Sequence, residues 1–293
     1  VTDAVDDAVD DAVDVGSAAG VTAVVTDGAA ALPADLAARR GIGVVPMWLT
    51  VDGRPEVEGS RPLEELLAVP GVLTSAPAPG EFAAACTAAL AHADAVVVCT
   101  VARSMSASHE AARIAAADFG ERVVVLDTGS AAGGQALVVL AAAEAAADGA
   151  SVAGVVERAA SVARRVRLIA TLPSLDHLVR GGRVPGIAGW AGRRLGINPL
   201  FEFRDGVVHR RRPALGPEAA TDRMVAAVAR SAVPGARLRA IALHACAPDV
   251  AEDLHDRLVG LGADDGLVGG FGPVMVVHTG PGLAGIAWWW EPA

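Results

Sequence analysis

The stretch AVVVCTVARSMSASHEAARIAAADFGERVVVLD, residues 95–127, decides the fold. A β-branched run, Ala95 to Val101, passes through a serine-rich junction into an alanine-rich helical pattern, Ser106 to Phe119. A second β-branched run, Val123 to Asp127, follows. Strand, helix, strand at this spacing is a crossover unit, which calls for parallel strands with the helix packed on one face. On either side the alternation continues. Strands are predicted over Val21 to Thr26, Ile42 to Val51, Val166 to Thr171, Leu238 to Ala245, Val274 to His278 and Ala284 to Trp290. Helices are predicted over Pro33 to Arg40, Glu81 to Ala91, Ala131 to Ala147, Ser151 to Arg165, Pro217 to Ser231 and Pro248 to Leu261. Pro199 to Arg212, with Arg204-Asp205-Gly206 between apolar runs, reads as a hairpin, so the second half mixes strand directions.

The expectation is an α/β chain of two domains. Residues 21–160 form an open doubly wound parallel-sheet domain with the ligand-binding loops, and residues 161–293 form a mixed-sheet α/β domain, the boundary falling between Ser151 and Val166. Residues 1–20 are an acidic leader built on Asp-Ala-Val-Asp repeats, read as disordered.

Composition excludes chemistry. All 24 basic residues are arginine, and the 293-residue chain has neither lysine nor tyrosine. A Schiff-base or pyridoxal-phosphate enzyme and a Walker A phosphate loop both need lysine, so neither can be built here. The chain is 53% hydrophobic but only 3% aromatic, which makes for an aliphatic interior. Mean hydropathy is +0.43, yet no run reaches the length of a spanning helix; the best, Ala136 to Ala143, stops at Glu144. A water-soluble chain without a secretory signal is expected in the cytoplasm. Of the net charge of −10, six units come from the leader aspartates, and the mildly acidic remainder has no basic footprint for nucleic acid. Cys86, Cys99 and Cys246 are odd in number and lie in apolar runs, as reduced core thiols do. The seven histidines show no metal-ligand spacing, so no metal is expected.

In an open α/β sheet ligands gather beyond the carboxyl ends of the strands. Four such junctions carry hydroxyls or turn chemistry: Thr26-Asp27-Gly28, Thr74-Ser75-Ala76-Pro77, Ser104 to Ser108, and Asp127 to Ser130. Ser106 stands at a predicted helix start, where it either caps the helix or helps hold an anion. Thr74 and Ser75 precede Pro77 and Pro79, which keep the loop extended. His278 ends a predicted strand and is followed by Thr279-Gly280-Pro281-Gly282; its role is structural or ligand-facing. Ser106 lacks the flanking glycines of a nucleophile elbow. Gly181-Gly182-Arg183 follows a helical segment and is no dinucleotide fingerprint.

The order of these elements resembles the DegV family of bacterial fatty-acid-binding proteins. Thr26-Asp27, Leu32-Pro33, Val44-Val45-Pro46, Asp52-Gly53, Thr74-Ser75-x-Pro77, Ser106, Gly181-Gly182-Arg183, Asn198-Pro199-Leu200, Asp205-Gly206 and His278-x-Gly280-Pro281-Gly282 carry the likeness from about Val21 to Trp290. The resemblance implies one long-chain fatty acid in a tunnel between the domains, with no cofactor. It further implies that a separate ATP-dependent fatty-acid kinase subunit phosphorylates the bound carboxylate, so that this chain is a non-catalytic carrier in phospholipid metabolism. By motif, Thr74, Ser75, Ser106 and His278 would bind the carboxylate. Arg183 and one of Arg210 to Arg212, taken as Arg212, would face the phosphotransfer and partner region. Peripheral membrane contact would serve ligand exchange. The alternative is a lipid-responsive regulatory or storage protein that works without a kinase; an esterase using Ser106 and His278 is the third reading. The chain departs from the family pattern at Gly28, commonly serine, at Ala107-Ser108, commonly Gly-Thr, and at Arg103.

Overall fold

The computed structural model describes residues 20–182, 197–264 and 266–293. The leader reading, except for Gly20, and the assignment of Arg183 lie outside these residues. Four parallel strands form the first sheet, in the order β2-β1-β6-β7: β1 (Thr22–Asp27), β2 (Ile42–Val45), β6 (Ala95–Thr100) and β7 (Val123–Asp127). Val24 pairs with Val97, and Val97 with Val124. Side chains alternate across the sheet. Val25, Val96 and Val98 pack with Phe82 and Cys86 of α3 (Pro79–Leu90) and with Ala111, Ala112 and Ala115 of α4 (Ser108–Ala116). Val24, Val97 and Cys99 join the larger core on the other face.

The second sheet has six strands in the order β10-β9-β8-β13-β11-β12, antiparallel except for the last pair. Its strands are β8 (Arg167–Thr171), β9 (Ile197–Arg204), β10 (Val207–Leu215), β11 (Arg237–His244), β12 (Leu267–Gly270) and β13 (Ala284–Glu291). The expected hairpin is β9–β10. A third sheet of three short antiparallel strands, ordered β4-β3-β5, projects between β2 and β6 in sequence: β3 (Trp48–Val51), β4 (Arg54–Val57) and β5 (Leu73–Ser75). The shorter helices are α1 (Ala34–Arg39), α2 (Leu63–Ala68), α6 (Val152–Ala163), α7 (Asp176–Gly181) and α10 (Pro273–Thr279); α8 (Pro217–Arg230) and α9 (Pro248–Gly260) cover the outer face of the six-stranded sheet.

Between the two large sheets lies α5 (Ala132–Ala147), whose residues Ala132 to Ala143 are all buried. It has no polar stripe, so water on any side would leave apolar surface exposed. The two sheets supply the cover: one continuous core joins Val24 and Val97 of the first to Leu168, Leu243 and Ala287 of the second through α5. The approach is close at Gly133, where a Cβ would stand 2.9 Å from Leu243 Cδ2 and 3.0 Å from Ala287 Cβ. Trp288 and Trp289 are buried, and Trp288 Nε1 and Trp290 Nε1 both donate to Ser231 Oγ.

Several expectations need correction. Ile42 to Val51 is not one strand, because Pro46 has no N–H to continue the ladder and the chain leaves the first sheet there for the third. Val274 to His278 is helical. Pro273 begins α10, and a short apolar run does not by itself distinguish a strand from a buried helix. Thr74 and Ser75 end a strand rather than lie in a loop. The helix read as starting at Ser106 starts at Ser108, because the Ser106 hydroxyl accepts the Ser108 N–H in a local turn. Cys86 and Cys99 are buried thiols, but Cys246, just past β11, is exposed.

Gly133→Val should lower stability by about 2 kcal/mol through overpacking, read as a shift in the urea midpoint. Burial pushes the Cys86 thiol up to about 11 and Cys99 to about 12. A thiol reagent should therefore titrate Cys246 alone in the native chain, and all three cysteines only after unfolding.

Candidate functional site

The strand order of the first sheet reverses direction between β1 and β6, so their carboxyl ends open a crevice. Asp27 closes its floor. This carboxyl is fully buried; its Oδ1 accepts from the Ala29 N–H at 3.1 Å and from Gln135 Nε2 at 3.0 Å, and its Oδ2 accepts from the Val101 N–H at 2.9 Å. Burial raises its pKa, and these donors offset only part of the rise. Gln135 also donates to Thr26 Oγ1 at 3.0 Å, and that hydroxyl donates to the Cys99 carbonyl at 2.7 Å. Asp27 is thus committed to joining β1, β6 and α5.

Across the molecule, the third sheet meets α10. Thr74 Oγ1 lies 2.7 Å from His278 Nε2, a contact between residues 204 apart in sequence. Gly181, at the end of α7, backs the imidazole so closely that a Cβ there would stand 2.8 Å from His278 Nδ1. Gly181 of the Gly-Gly pair therefore packs against this contact. Ser75 follows Thr74 on β5, is exposed and faces the opposite side. Ser106 Oγ lies 2.9 Å from Ser108 Oγ, bonded within its own turn. The adjacent loop is clasped to the second sheet: Ser104 Oγ donates to the Gly206 carbonyl at 2.8 Å, and the Gly206 N–H donates to the Gly129 carbonyl at 2.9 Å. Nearby, Thr100 Oγ1 is 3.0 Å from His109 Nδ1, and burial lowers the pKa of that imidazole.

Sequence reasoning missed Glu58. It follows β4, where it reads as one more surface acid. Its Oε1 accepts the Val274 N–H in the first turn of α10 at 3.1 Å. Its carboxylate also occupies the space that a Cβ would need at two glycines, 2.7 Å from the Cβ position of Gly28 and 2.5 Å from that of Gly272. The only sequence signal was the departure at Gly28. The side chain that position lacks is replaced in space by Glu58. Burial raises the Glu58 pKa, the Val274 N–H lowers it in part, and the negative charge of Asp27 raises it further.

The three adjacent arginines of β10 are separated by the pleat. Arg210 pairs with Phe201, which faces the α5 core, whereas Arg211 pairs with Leu200 of the outer core. A bulge follows, and Arg212 is exposed beside α8, its carbonyl accepting from Arg223 Nη1 at 3.0 Å. Among the described residues no group of three or more His, Cys, Asp and Glu side chains could hold a metal, and no helix is long and apolar enough to cross a membrane.

A two-sheet α/β scaffold that draws a threonine hydroxyl and an imidazole together from segments 204 residues apart frames a candidate ligand site. Residues 21–291 match the DegV family, whose own description is that of an uncharacterised protein. A DegV domain-containing protein of Mycobacterium tuberculosis is 34% identical over 273 residues, 90% of this chain and 95% of its own length. One from Deinococcus radiodurans is 34% identical over 281 residues, 90% and 97% of the two chains. Among solved structures, the fatty-acid-binding DegV family protein of Thermus thermophilus superposes with a TM-score of 0.86 at 29% identity, covering 92% of this chain and 99% of that one. Bacillus subtilis DegV, a fatty-acid-binding protein, shares the fold with a TM-score of 0.79 at 24% identity, covering 92% and 99%. The chain belongs to the DegV family.

Gly28→Ser should cost about 1–2 kcal/mol by displacing Glu58 from its hydrogen bond, and close to nothing in a Glu58→Ala background; a double-mutant cycle in urea reads the difference. Because the folded-state pKa of Glu58 lies above the ordinary 4.5, the folded state holds that proton longer. Its contribution therefore makes stability fall as pH rises from 4.5 through the folded pKa, and Glu58→Gln should remove that slope from denaturation curves collected across the acid range.

Proposed function

We propose that this chain binds a long-chain fatty acid and presents its carboxylate to a separate ATP-dependent fatty-acid kinase, which makes the acyl-phosphate. The chain itself is the non-catalytic carrier. The observation that carries the reading is the Thr74–His278 contact. A neutral imidazole protonated on Nε2 donates to Thr74 Oγ1, which leaves the single threonine proton free to donate to an incoming carboxylate. A buried carboxylate without donors is costly, and neutral donors hold it without a strong counter-charge. It keeps its nucleophilicity for attack on a γ-phosphoryl group. Ser106 supplies the second hydroxyl from the crevice in this reading, whereas Ser75 faces the other side of β5 and stays outside the carboxylate site. The aliphatic core shared by the two sheets suits an alkyl chain held between them, at about 0.8 kcal/mol per buried CH₂. The fatty-acid-binding relative from Thermus thermophilus supports the ligand class.

The esterase reading loses ground on geometry: Ser106 Oγ is bonded to Ser108 and His278 Nε2 to Thr74, which is not the serine–histidine contact of a hydrolase. Arg212, exposed beside α8, is the partner-facing residue in this reading, and exchange of the fatty acid takes place by peripheral membrane contact in the cytoplasm.

Mass spectrometry of an organic extract of the freshly purified, denatured chain should release a long-chain fatty acid. Thr74→Val should weaken oleate uptake by about tenfold, the loss of one hydrogen bond to a charged group, and His278→Ala, which removes the donor that orients Thr74, should weaken it less. Acyl-phosphate should form when the loaded chain is mixed with ATP and its kinase. If fatty acid is bound but no kinase acts on it, the lipid-responsive or storage function takes the place of the carrier; if no fatty acid is extracted or taken up, both fall.

A further inference from the structure

On the outer face of the six-stranded sheet, between α8 and strands β8, β9 and β10, lies a cavity of about 540 Å³. Its floor is apolar, made by Ile169, Leu200 and Ala227, and five arginines form its walls: Arg167, Arg211, Arg212, Arg223 and Arg230. One carboxylate answers them. Glu202, 2% exposed, accepts from Arg167 Nε at 2.6 Å and from Arg211 Nε at 2.6 Å. Both guanidinium groups lower its pKa against the desolvation that would raise it. Arg167 is held a second time, 5.2 Å over the ring of Trp288. Arg223 Nη1 donates to the Arg212 and Pro213 carbonyls, neither of which carries a full charge. No carboxylate pairs with Arg212, Arg223 or Arg230 among the described residues.

The cleft therefore holds five guanidinium groups against one carboxylate, in a chain whose 34 acidic residues outnumber its 24 basic ones. Arg167 and Arg223 are half-buried and Arg211, Arg212 and Arg230 exposed, so their like charges repel one another across an open cleft, and a bound anion relieves that repulsion. Arg167 and Arg211 are already oriented by Glu202, so they need little reorganisation on binding. Arg212 and Arg230 remain to close on a ligand. Guanidinium forks match the oxygens of a phosphate, and a phosphomonoester dianion answers more of the surplus charge than a single carboxylate would. The apolar floor gives room for a non-polar body beside that phosphate, and the cavity volume falls in the range of small-ligand sites.

We propose that this cleft binds a phosphate group, borne either by a soluble small molecule or by a lipid headgroup, at a site separate from Thr74, Ser106 and His278. The proposal does not rest on the fatty-acid reading. Two probes distinguish the sources: inorganic pyrophosphate titrated calorimetrically into the full chain, and co-sedimentation with phosphatidylcholine vesicles with and without phosphatidic acid. Pyrophosphate binding that weakens about tenfold in Arg230→Gln and disappears in Arg230→Glu supports a soluble ligand. Sedimentation that requires phosphatidic acid and is lost in Arg230→Glu, without pyrophosphate binding, supports a headgroup. Arg230 is exposed at the end of α8, so both variants should fold, which an unchanged thermal midpoint and unchanged oleate uptake would verify. The proposal is overturned if the native chain binds neither probe, or if Arg230→Glu binds them as well as the native chain does.

Discussion

A carboxyl group with no exposed surface, Asp27, is the constraint on which the first domain and its crevice depend. An unpartnered polar group at that depth would cost several kcal/mol, so the surroundings must supply donors. They come from the Val101 N–H at the end of the neighbouring strand, from the Ala29 N–H in the following turn, and from Gln135 on the helix packed below. Each donor fixes one boundary of the crevice. Gln135 is itself a polar residue in a helix otherwise buried among alanine, valine and leucine, and Asp27 and Thr26 are what make its burial tolerable. The same helix is the shared core of both sheets, so the polar pin and the apolar layer reinforce one another.

Glu58 plays a related part farther out. It accepts a hydrogen bond from α10 and fills the space beside Gly28 and Gly272, and so ties the three-stranded sheet to the helix that carries His278. The distance between Thr74 and His278 thus depends on an acid that touches neither. A serine at position 28 would compete with Glu58 for the same space. The departure at Gly28 and the presence of Glu58 are two sides of one packing arrangement.

A chain without lysine must do all its cationic work with guanidinium groups, which are planar and can both stack and bond through a fork. Arg158 lies 5.0 Å over the Trp289 ring and pairs with Glu291, while Arg167 lies over Trp288 and pairs with Glu202. These contacts order the interior strands of the second sheet, β8, β9 and β13. They also leave the outer cleft lined by cations that cannot be neutralised by losing a proton.

The residues alone determined the elements whose signal is local. Val123 to Asp127 ends where the β-branched run ends, α5 follows its alanine-rich pattern, and Asp205-Gly206 turns the β9–β10 hairpin. Family membership was legible as well, because motif order survives in the linear chain. What the sequence could not determine depends on partners distant along it. Val274 to His278 is helical because Pro273 and the Glu58 carboxylate organise its first turn, and a short apolar run carries no periodicity to say so. Arg210, Arg211 and Arg212 are adjacent in the chain yet meet different environments, since the pleat and then a bulge turn them apart. The contact between Thr74 and His278 spans 204 positions, and only the packing of the third sheet against α10 could bring those two side chains within hydrogen-bonding distance.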